Sequence, residues 1–328
     1  MEKPVHPVPG EEYLHMNLLV SVCRTIANQL APITLLGAIA AYLYPPLFMV
    51  FSDSFLWFFA ATMFAMGIVL DFDELHETLQ KPGRIGLGVL TQFTVMPALG
   101  FSAALLAPPS PEIKLGFIIV AGAPGAMASN VMVYLAGGAV AFSVAMTTLA
   151  TFLSPVLTPL LVEWLGGVFL KIPFWPMMQT IILTVVLPLG LGMLLRHRLG
   201  PYLSLAREVS PAVAALAIVI ICSYAVAANQ ARIADVGGWV ITVVIIVNAL
   251  GYLAGWWLAR LYGFDANHRL TLAIEIGMQN AGLGVALALK HFAPESALPG
   301  ALFAFWCILT AAGASSWLRR RQVPVHAR

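Results

Sequence analysis

The sequence predicts an all-α integral membrane protein of ten transmembrane helices. Three observations carry that prediction. First, 60% of the 328 residues are hydrophobic and only 10% are charged, where a soluble domain has about 45–50% and about 25%. Second, the apolar residues number about 197, and a span needs about 20, so there is material for about ten spans. Third, the basic residues separate by side. Threaded from a cytoplasmic N-terminus through ten crossings, 13 of the 17 Lys and Arg fall inside, and Lys114, Lys171, Arg232 and Lys290 fall outside. That asymmetry obeys the positive-inside rule, and a wrong span count would scramble it. The composition excludes a soluble enzyme and a disulfide-stapled secreted domain. The net charge of +2 is too small to imply a nucleic-acid partner. Cys23, Cys222 and Cys307 are scattered without metal-ligand spacing and read as inert apolar residues.

Taken in order, residues 1–30 read as a cytoplasmic tail. The first fifteen carry Glu2, Glu11 and Glu12 but no basic segment leading into an apolar core, so they are not a cleavable signal. Span 1 covers 31–50 and span 2 covers 54–72. The polar stretch Asp71–Arg84 reads as a surface-lying turn on the cytoplasmic side. Span 3, 83–107, carries Gln92 in mid-span, which could clamp two helices together. Span 4, 113–136, is interrupted at Pro124-Gly125, because proline removes a helix hydrogen bond and glycine loosens the same turn. Ser129 and Asn130 follow with oxygen ligands. Span 5, 139–165, places Ser143 and Thr147 on one face at i, i+4, although such hydroxyls also bond back to their own helix. Spans 6, 7 and 8 cover 173–195, 207–229 and 235–262. Span 9 covers 267–290, span 10 covers 296–318, and a basic tail runs from 319 to 328.

Nearly every Asp and Glu falls in a tail, a loop or a span end. Glu275 does not. It lies inside span 9 in Glu275-Ile-Gly-Met-Gln279-Asn280-Ala-Gly-Leu-Gly284. A buried unpaired carboxylate is expensive and should be neutralised by a proton or by a bound cation. The nearby glycines weaken the helix and free carbonyl oxygens. Amides plus carbonyls form a hard oxygen cage suited to Na⁺ rather than to a soft metal. Asn130 and Asn280 stand 150 residues apart, in the fourth and ninth of ten spans. Two halves of five spans, 31–165 and 166–318, must be inverted relative to each other. Interrupted helices at matching places of inverted halves point to a transporter's central site.

All seven histidines fall in tails, loops or span ends. A buried Ser–His couple or a His metal site is therefore hard to build, which disfavours an intramembrane enzyme. No adjacent pair of intramembrane Asp residues supports a Na⁺/H⁺ exchanger, and no sizeable soluble domain supports a receptor.

These stretches resemble the bile acid:sodium symporter family and its bacterial apical-transporter homologues. The resemblance is carried by Met63-Phe-Ala-Met-Gly67, Gln92-Phe-Thr-Val-Met-Pro97, Ala128-Ser-Asn-Val-Met-Val-Tyr-Leu135, Glu275-Ile-Gly-Met-Gln-Asn280 and Ala297-Leu-Pro-Gly-Ala-Leu-Phe303. It implies a core and a panel domain, with discontinuous spans 4 and 9 crossing in the core. It implies one Na⁺ held by Ser129, Asn130, Ser143, Thr147 and Glu275. A second would be held by Gln92, Glu275, Gln279 and the carbonyls of Ile276 and Met278. The organic anion would touch Met127, Asn130, Asn280 and Cys307. Bacterial relatives often carry threonine where Met127 stands, and a His-Asn pair where Cys307-Ile308 stands, so this crevice is more apolar.

The expectation is a Na⁺-coupled symporter in a bacterial inner membrane, with both termini cytoplasmic and two coupling ions. Its cargo would be an organic anion, bile-acid-like or a smaller carboxylate such as pantoate. Proton-coupled symport or uniport with Glu275 titrating is the alternative. Partners are membrane lipid and the transported ions. Oligomeric state is left open, a monomer being compatible.

Overall fold

The computed structural model describes residues 9–70, 82–107 and 110–322, and its regular structure is helical apart from one isolated bridge. In chain order the helices are α1 (Pro9–Asn28), α2 (Leu30–Leu43), the single turn α3 (Pro46–Met49), α4 (Phe55–Val69) and α5 (Pro82–Leu106). Then come α6 (Pro111–Ala121), α7 (Ser129–Ala136) and α8 (Val140–Gly166). The second half holds α9 (Phe174–Ile181), α10 (Leu187–Arg196), α11 (Leu203–Ala228) and α12 (Gln230–Leu261). It ends with α13 (Ala266–Gly277), α14 (Ala281–His291) and α15 (Leu298–Gln322).

The helices lie on the predicted apolar runs, and the differences are local. Residues 9–28, expected as part of a tail, form α1, which packs on α11 and pairs Arg24 with Glu208 at 2.7 Å. The apolar run begins well before residue 31, at Leu18-Leu19-Val20. The basic residues after 318 prolong α15 as far as Gln322 rather than opening a tail. The expected surface turn falls largely on 71–81, outside the described residues.

The breaks and ends have visible causes. Between α9 and α10 a π-turn spans Ile182–Val186. Pro188 follows at once, and the wider turn removes the clash its ring would make with the Thr184 carbonyl. Helix α7 stops at Gly137, whose φ of 75° is left-handed. There Gly138 N–H bonds the Val133 carbonyl and Gly137 N–H bonds that of Tyr134, the six-to-one and five-to-two closure of a helix end. Ser110 caps α6 and Asp265 caps α13, each accepting the backbone N–H three residues on. Arg196, buried, donates to the Val69 and Leu70 carbonyls at 2.9 and 2.6 Å and closes the end of α4.

Glycines set the closest crossings. A methyl on Gly67 would lie 2.2 Å from the Leu189 carbonyl oxygen, so α4 and α10 touch backbone to backbone. Gly251 and Gly255, one turn apart on α12, do the same for α13. One apolar cluster joins α5, α8, α12, α13 and α15 through Phe93, Met146, Val244, Ile276 and Phe303. A second joins α4, α6, α9–α11 and α14 through Phe59, Ile118, Met177, Leu189 and Leu287.

The outer surface is itself apolar: Trp57, Trp164 and Leu261 are 76%, 74% and 79% exposed. In water such a surface would be an aggregation hazard; in hydrocarbon it is the expected one. Among the described residues, five stretches are long and apolar enough to cross a membrane: 82–106, 140–166, 174–196, 200–228 and 230–261. Leu18–Ala27 with Pro32–Leu43, bent by 71°, makes a sixth if counted as one. The halves α6, α7, α13 and α14 each have 12 residues or fewer. At 1.5 Å per residue none reaches across about 30 Å alone.

Candidate functional site

Two adjacent rungs bring the site together. Thr271 and Glu275 stand one turn apart on α13, and Ala139, Ser143 and Thr147 stand one turn apart along the start of α8. On the first rung the Ala139 N–H donates to Thr271 Oγ1 at 2.8 Å. That bond sets the register of α8 against α13. The next rung then presents Ser143 and Thr147 to Glu275.

Glu275 is wholly buried. Ser129 donates to its Oε1 at 2.5 Å, Ser143 donates to the same oxygen, and Thr147 donates to Oε2 at 2.6 Å. Ser143 Oγ also lies 2.8 Å from Asn130 Oδ1. No ion pair reaches Glu275 among the described residues. Neither does any group of three His, Cys, Asp or Glu among them form a set for a transition metal. The donors are one carboxylate, hydroxyls, amides and carbonyls, which suit a hard monovalent cation.

The breaks lie directly against each other. Ala126 N–H donates to the Met278 carbonyl at 2.9 Å, and Asn280 N–H donates to the Pro124 carbonyl at 2.8 Å. These two bonds make an antiparallel bridge at Gly125 and Gln279. Backbone groups released by both interruptions thus satisfy each other in the interior. Gly125 lets the first break lie close to the carboxylate, because a methyl there would stand 3.1 Å from Glu275 Oε2.

Gln92 and Gln279, both buried, bond to each other. Gln92 Nε2 donates to Gln279 Oε1 at 2.8 Å and lies 3.2 Å from the Ala123 carbonyl, while Gln279 Nε2 donates to the Ile276 carbonyl at 2.9 Å. Gln92 Oε1 is buried and has no partner. Asn280 Oδ1 caps α14 by accepting from Leu283 N–H at 3.1 Å, and its Nδ2 is buried and unpartnered. Gln92 and Asn280 thus leave one amide acceptor and one amide donor buried without partners.

Ser129, Asn130, Ser143, Thr147 and Glu275 are therefore in mutual contact, and Gln92, Gln279 and the Ile276 carbonyl form an adjoining group. The Met278 carbonyl is engaged by Ala126. Of the four residues expected at the organic anion, Met127 and Cys307 belong to different apolar clusters. Met127 packs in the cluster with Phe59, Met63 and Leu283, whereas Cys307 packs in the other with Phe303 and Ala304. Both are almost fully buried. Sequence reasoning missed Asn248, whose Nδ2 donates to the Gly277 carbonyl at 2.8 Å. The signal was available: an amide in the middle of an apolar span is costly unless it has a task.

A helical bundle with an apolar exterior, enclosing a buried charge at two interrupted helices, is an integral membrane protein of the transporter class. The chain belongs to the sodium bile acid symporter family, whose sequence pattern matches residues 56–236. It is 37% identical over 269 residues to a Bacillus subtilis protein named as an uncharacterized sodium-dependent transporter, YocS, covering 82% of this chain and 84% of that one. It is 36% identical over 242 residues to a rice chloroplast protein (Oryza sativa subsp. japonica) named as a probable sodium/metabolite cotransporter, BASS1, covering 74% of this chain and 60% of that one. The human ileal sodium/bile acid cotransporter is 28% identical over 242 residues, covering 72% of this chain and 69% of that one.

Proposed function

We propose that this protein is a Na⁺-coupled symporter that imports an organic anion, bile-acid-like or a smaller carboxylate. The observation that carries the reading is Glu275. It is a wholly buried carboxylate facing three hydroxyl donors, with no basic partner among the described residues. Donors alone do not cancel its charge, and a small cation bound beside it would. The relatives named for sodium-dependent transport support the choice of Na⁺.

In this reading Ser129, Asn130, Ser143, Thr147 and Glu275 hold one Na⁺. Gln92, Glu275, Gln279 and the carbonyls of Ile276 and Met278 hold a second, for which the unpartnered Gln92 Oε1 is free. The first cation ties side chains of one break to the carboxylate of the other, and the second ties Gln92 of α5 to the second break. Na⁺ binding therefore rigidifies the place where Asn130 and Asn280 meet the anion, and linkage makes each ligand strengthen the other. The unpartnered Asn280 amide N–H and the positive ends of α7 and α14 favour a carboxylate or sulfonate. The ten-span arrangement, with inverted halves 31–165 and 166–318, supplies a core holding both breaks. A panel made of spans 1, 2, 6 and 7 is the body it moves against. Met127 and Leu283 share a packed cluster with Phe59 and Met63 of span 2, so a shift of the panel uncovers that side of the breaks.

The test is the thermal midpoint of the purified protein in Na⁺ against K⁺ at equal ionic strength, with and without candidate anions. Na⁺ should raise the midpoint, and the right anion should raise it further only in Na⁺. Glu275→Ala should abolish the Na⁺ response and Na⁺-driven uptake while leaving a folded protein. Normal Na⁺ stimulation in that variant, or uptake that follows a proton gradient at constant Na⁺, overturns the assignment.

A further inference from the structure

We propose that Asn248 is a positioning residue that holds the 276–278 backbone toward the cation site, and that Thr310 sets the direction of its amide. The proposal rests on the Na⁺ reading above and adds to it two residues on two further helices, α12 and α15.

The break after Gly277 creates a vacancy in the hydrogen-bond ladder. In an unbroken helix the Gly277 carbonyl would accept from Ala281 N–H. Here Ala281 N–H turns to the Gln279 carbonyl at 2.7 Å instead. The Gly277 carbonyl is buried, and leaving it unpaired would be costly. Asn248 Nδ2 of α12 fills the gap at 2.8 Å. Asn248 is itself 1% exposed.

The amide of Asn248 has two ends, and only one fits a carbonyl. Thr310 of α15 places its hydroxyl 3.1 Å from Asn248 Oδ1, a proton it shares with the Trp306 and Cys307 carbonyls of its own helix at 3.0 and 3.2 Å. A donor at Oδ1 leaves Nδ2 aimed at Gly277. The chain thus runs from α15 through α12 to the last turn of α13.

Its inner end flanks the site. Gly277 stands between Ile276 and Met278, whose carbonyls belong to the second proposed cation place. The bed beneath is tight. A methyl on Gly251 would lie 3.4 Å from the Gly277 Cα and from the Ile276 carbonyl, and one on Gly255 would lie 2.7 Å from the Leu272 carbonyl. Close packing fixes how far α13 stands from α12. The Asn248 bond fixes the rotation of the peptide that packing leaves open.

The experiment is a Na⁺ titration of the thermal midpoint of the purified full chain, with K⁺ keeping ionic strength constant. Asn248→Leu removes both bonds and keeps the branched shape with a larger volume. Its bulk has room, because Asn248 borders a cleft of about 210 Å³ between α12 and α15. The Na⁺ concentration giving half the shift should rise about tenfold. Thr310→Val should raise it about threefold, and Thr310→Ser should restore it. A merely structural role would lower every midpoint in K⁺ and leave the half-effect concentration unchanged, and that result overturns the proposal. If Asn248→Leu does not fold, the Thr310→Val and Thr310→Ser pair decides on the same readout. A parent protein that ignores Na⁺ overturns the transport reading and this proposal together. A parent that responds, with variants at its half-effect concentration, overturns this proposal alone.

Discussion

The two breaks do the same thing to the backbone and opposite things to the site. The first runs from 122 to 128 and is made by Pro124-Gly125; the second runs from 278 to 280 and contains no proline. At the first, the polar residues follow the gap and open the next half-helix, as Ser129 and Asn130. At the second, the charge precedes the gap on the last turn of α13, as Glu275. The first break and the adjoining α8 bring hydroxyl donors, and the second brings the carboxylate they face. Neither is a site alone. In the proposed reading this is how one intramembrane acid suffices for the first cation, because its other ligands are neutral oxygens delivered from the opposite half.

The strongest way to break that division of labour is to remove a donor from the first side without touching the second. Thr147→Val deletes the hydroxyl 2.6 Å from Glu275 Oε2. A hydrogen bond to a charged group is worth about 1.5–3 kcal/mol, so Na⁺ affinity should fall by about 10- to 100-fold. Thr151 is the control. It is equally buried and one turn further along α8, but its hydroxyl donates to the Thr147 carbonyl at 2.8 Å. Thr151→Val should leave the Na⁺ half-effect concentration where it was. Equal loss in both variants would mean that α8 acts through packing and not through its donors.

Next in size are the glycines. Gly125→Ala puts a methyl 3.1 Å from Glu275 Oε2, so the carboxylate must yield by a few tenths of an ångström. Overpacking costs about 1–3 kcal/mol, and here it falls on the ligand. Na⁺ affinity should drop about tenfold, with the midpoint in K⁺ close to the parent's. Gly277→Ala puts its methyl 2.5 Å from the Tyr252 ring. A similar cost then falls on the contact between α12 and α13, and the midpoint in K⁺ should drop. Thermal scans in Na⁺ and in K⁺ separate the two outcomes.

How much of this was legible in the sequence follows from the same contrast. The helices were readable because apolar runs bounded by charge, Pro and Gly mark the segments a bilayer can hold. Both breaks were readable from Pro124-Gly125 and from Glu275 among its glycines. Ser129, Asn130, Ser143 and Thr147 stood out because polar side chains inside spans are rare, and their grouping around Glu275 came from the family resemblance. Three things were not. Helix α1 was hidden because Glu11, Glu12 and the early prolines draw attention away from the apolar run starting at Leu18. Asn248 was hidden because a census of acids passes over a neutral amide. The pairing of the Ala126 and Asn280 N–H groups with carbonyls of the opposite break was hidden because main-chain bonds between distant segments leave no mark on side-chain identity.

The smallest effect concerns the helices leading into the breaks. Helix α6 begins at a neutral cap, Ser110, which accepts from Ile113 N–H at 3.3 Å. Helix α13 begins at a charged one, Asp265, which accepts from His268 N–H at 3.1 Å and lies 2.9 Å from His268 Nδ1. The hydrogen bond from the His268 side chain, aided by its backbone N–H, holds the Asp265 carboxyl down at about 2. A folded value below the ordinary 3.8 means the charge stabilises the fold above pH 3.8, and that contribution is lost as pH falls through about 2. Asn caps a helix as well as Asp, so Asp265→Asn removes only the charge. Because Asp265 is more than half exposed, the cost at pH 6 should sit near the lower end of the 0.3–1 kcal/mol typical of a charge at a helix start. It should shrink steadily between pH 4 and pH 2.5. Ser110→Ala removes the cap of α6 outright, together with the hydroxyl's bond to the Glu112 carboxylate at 2.9 Å, and should cost about 1 kcal/mol at pH 6. Thermal unfolding of both variants against the parent checks the pair. A flat Asp265→Asn difference would show that the charge on the second broken helix does no more for it than the neutral cap does for the first.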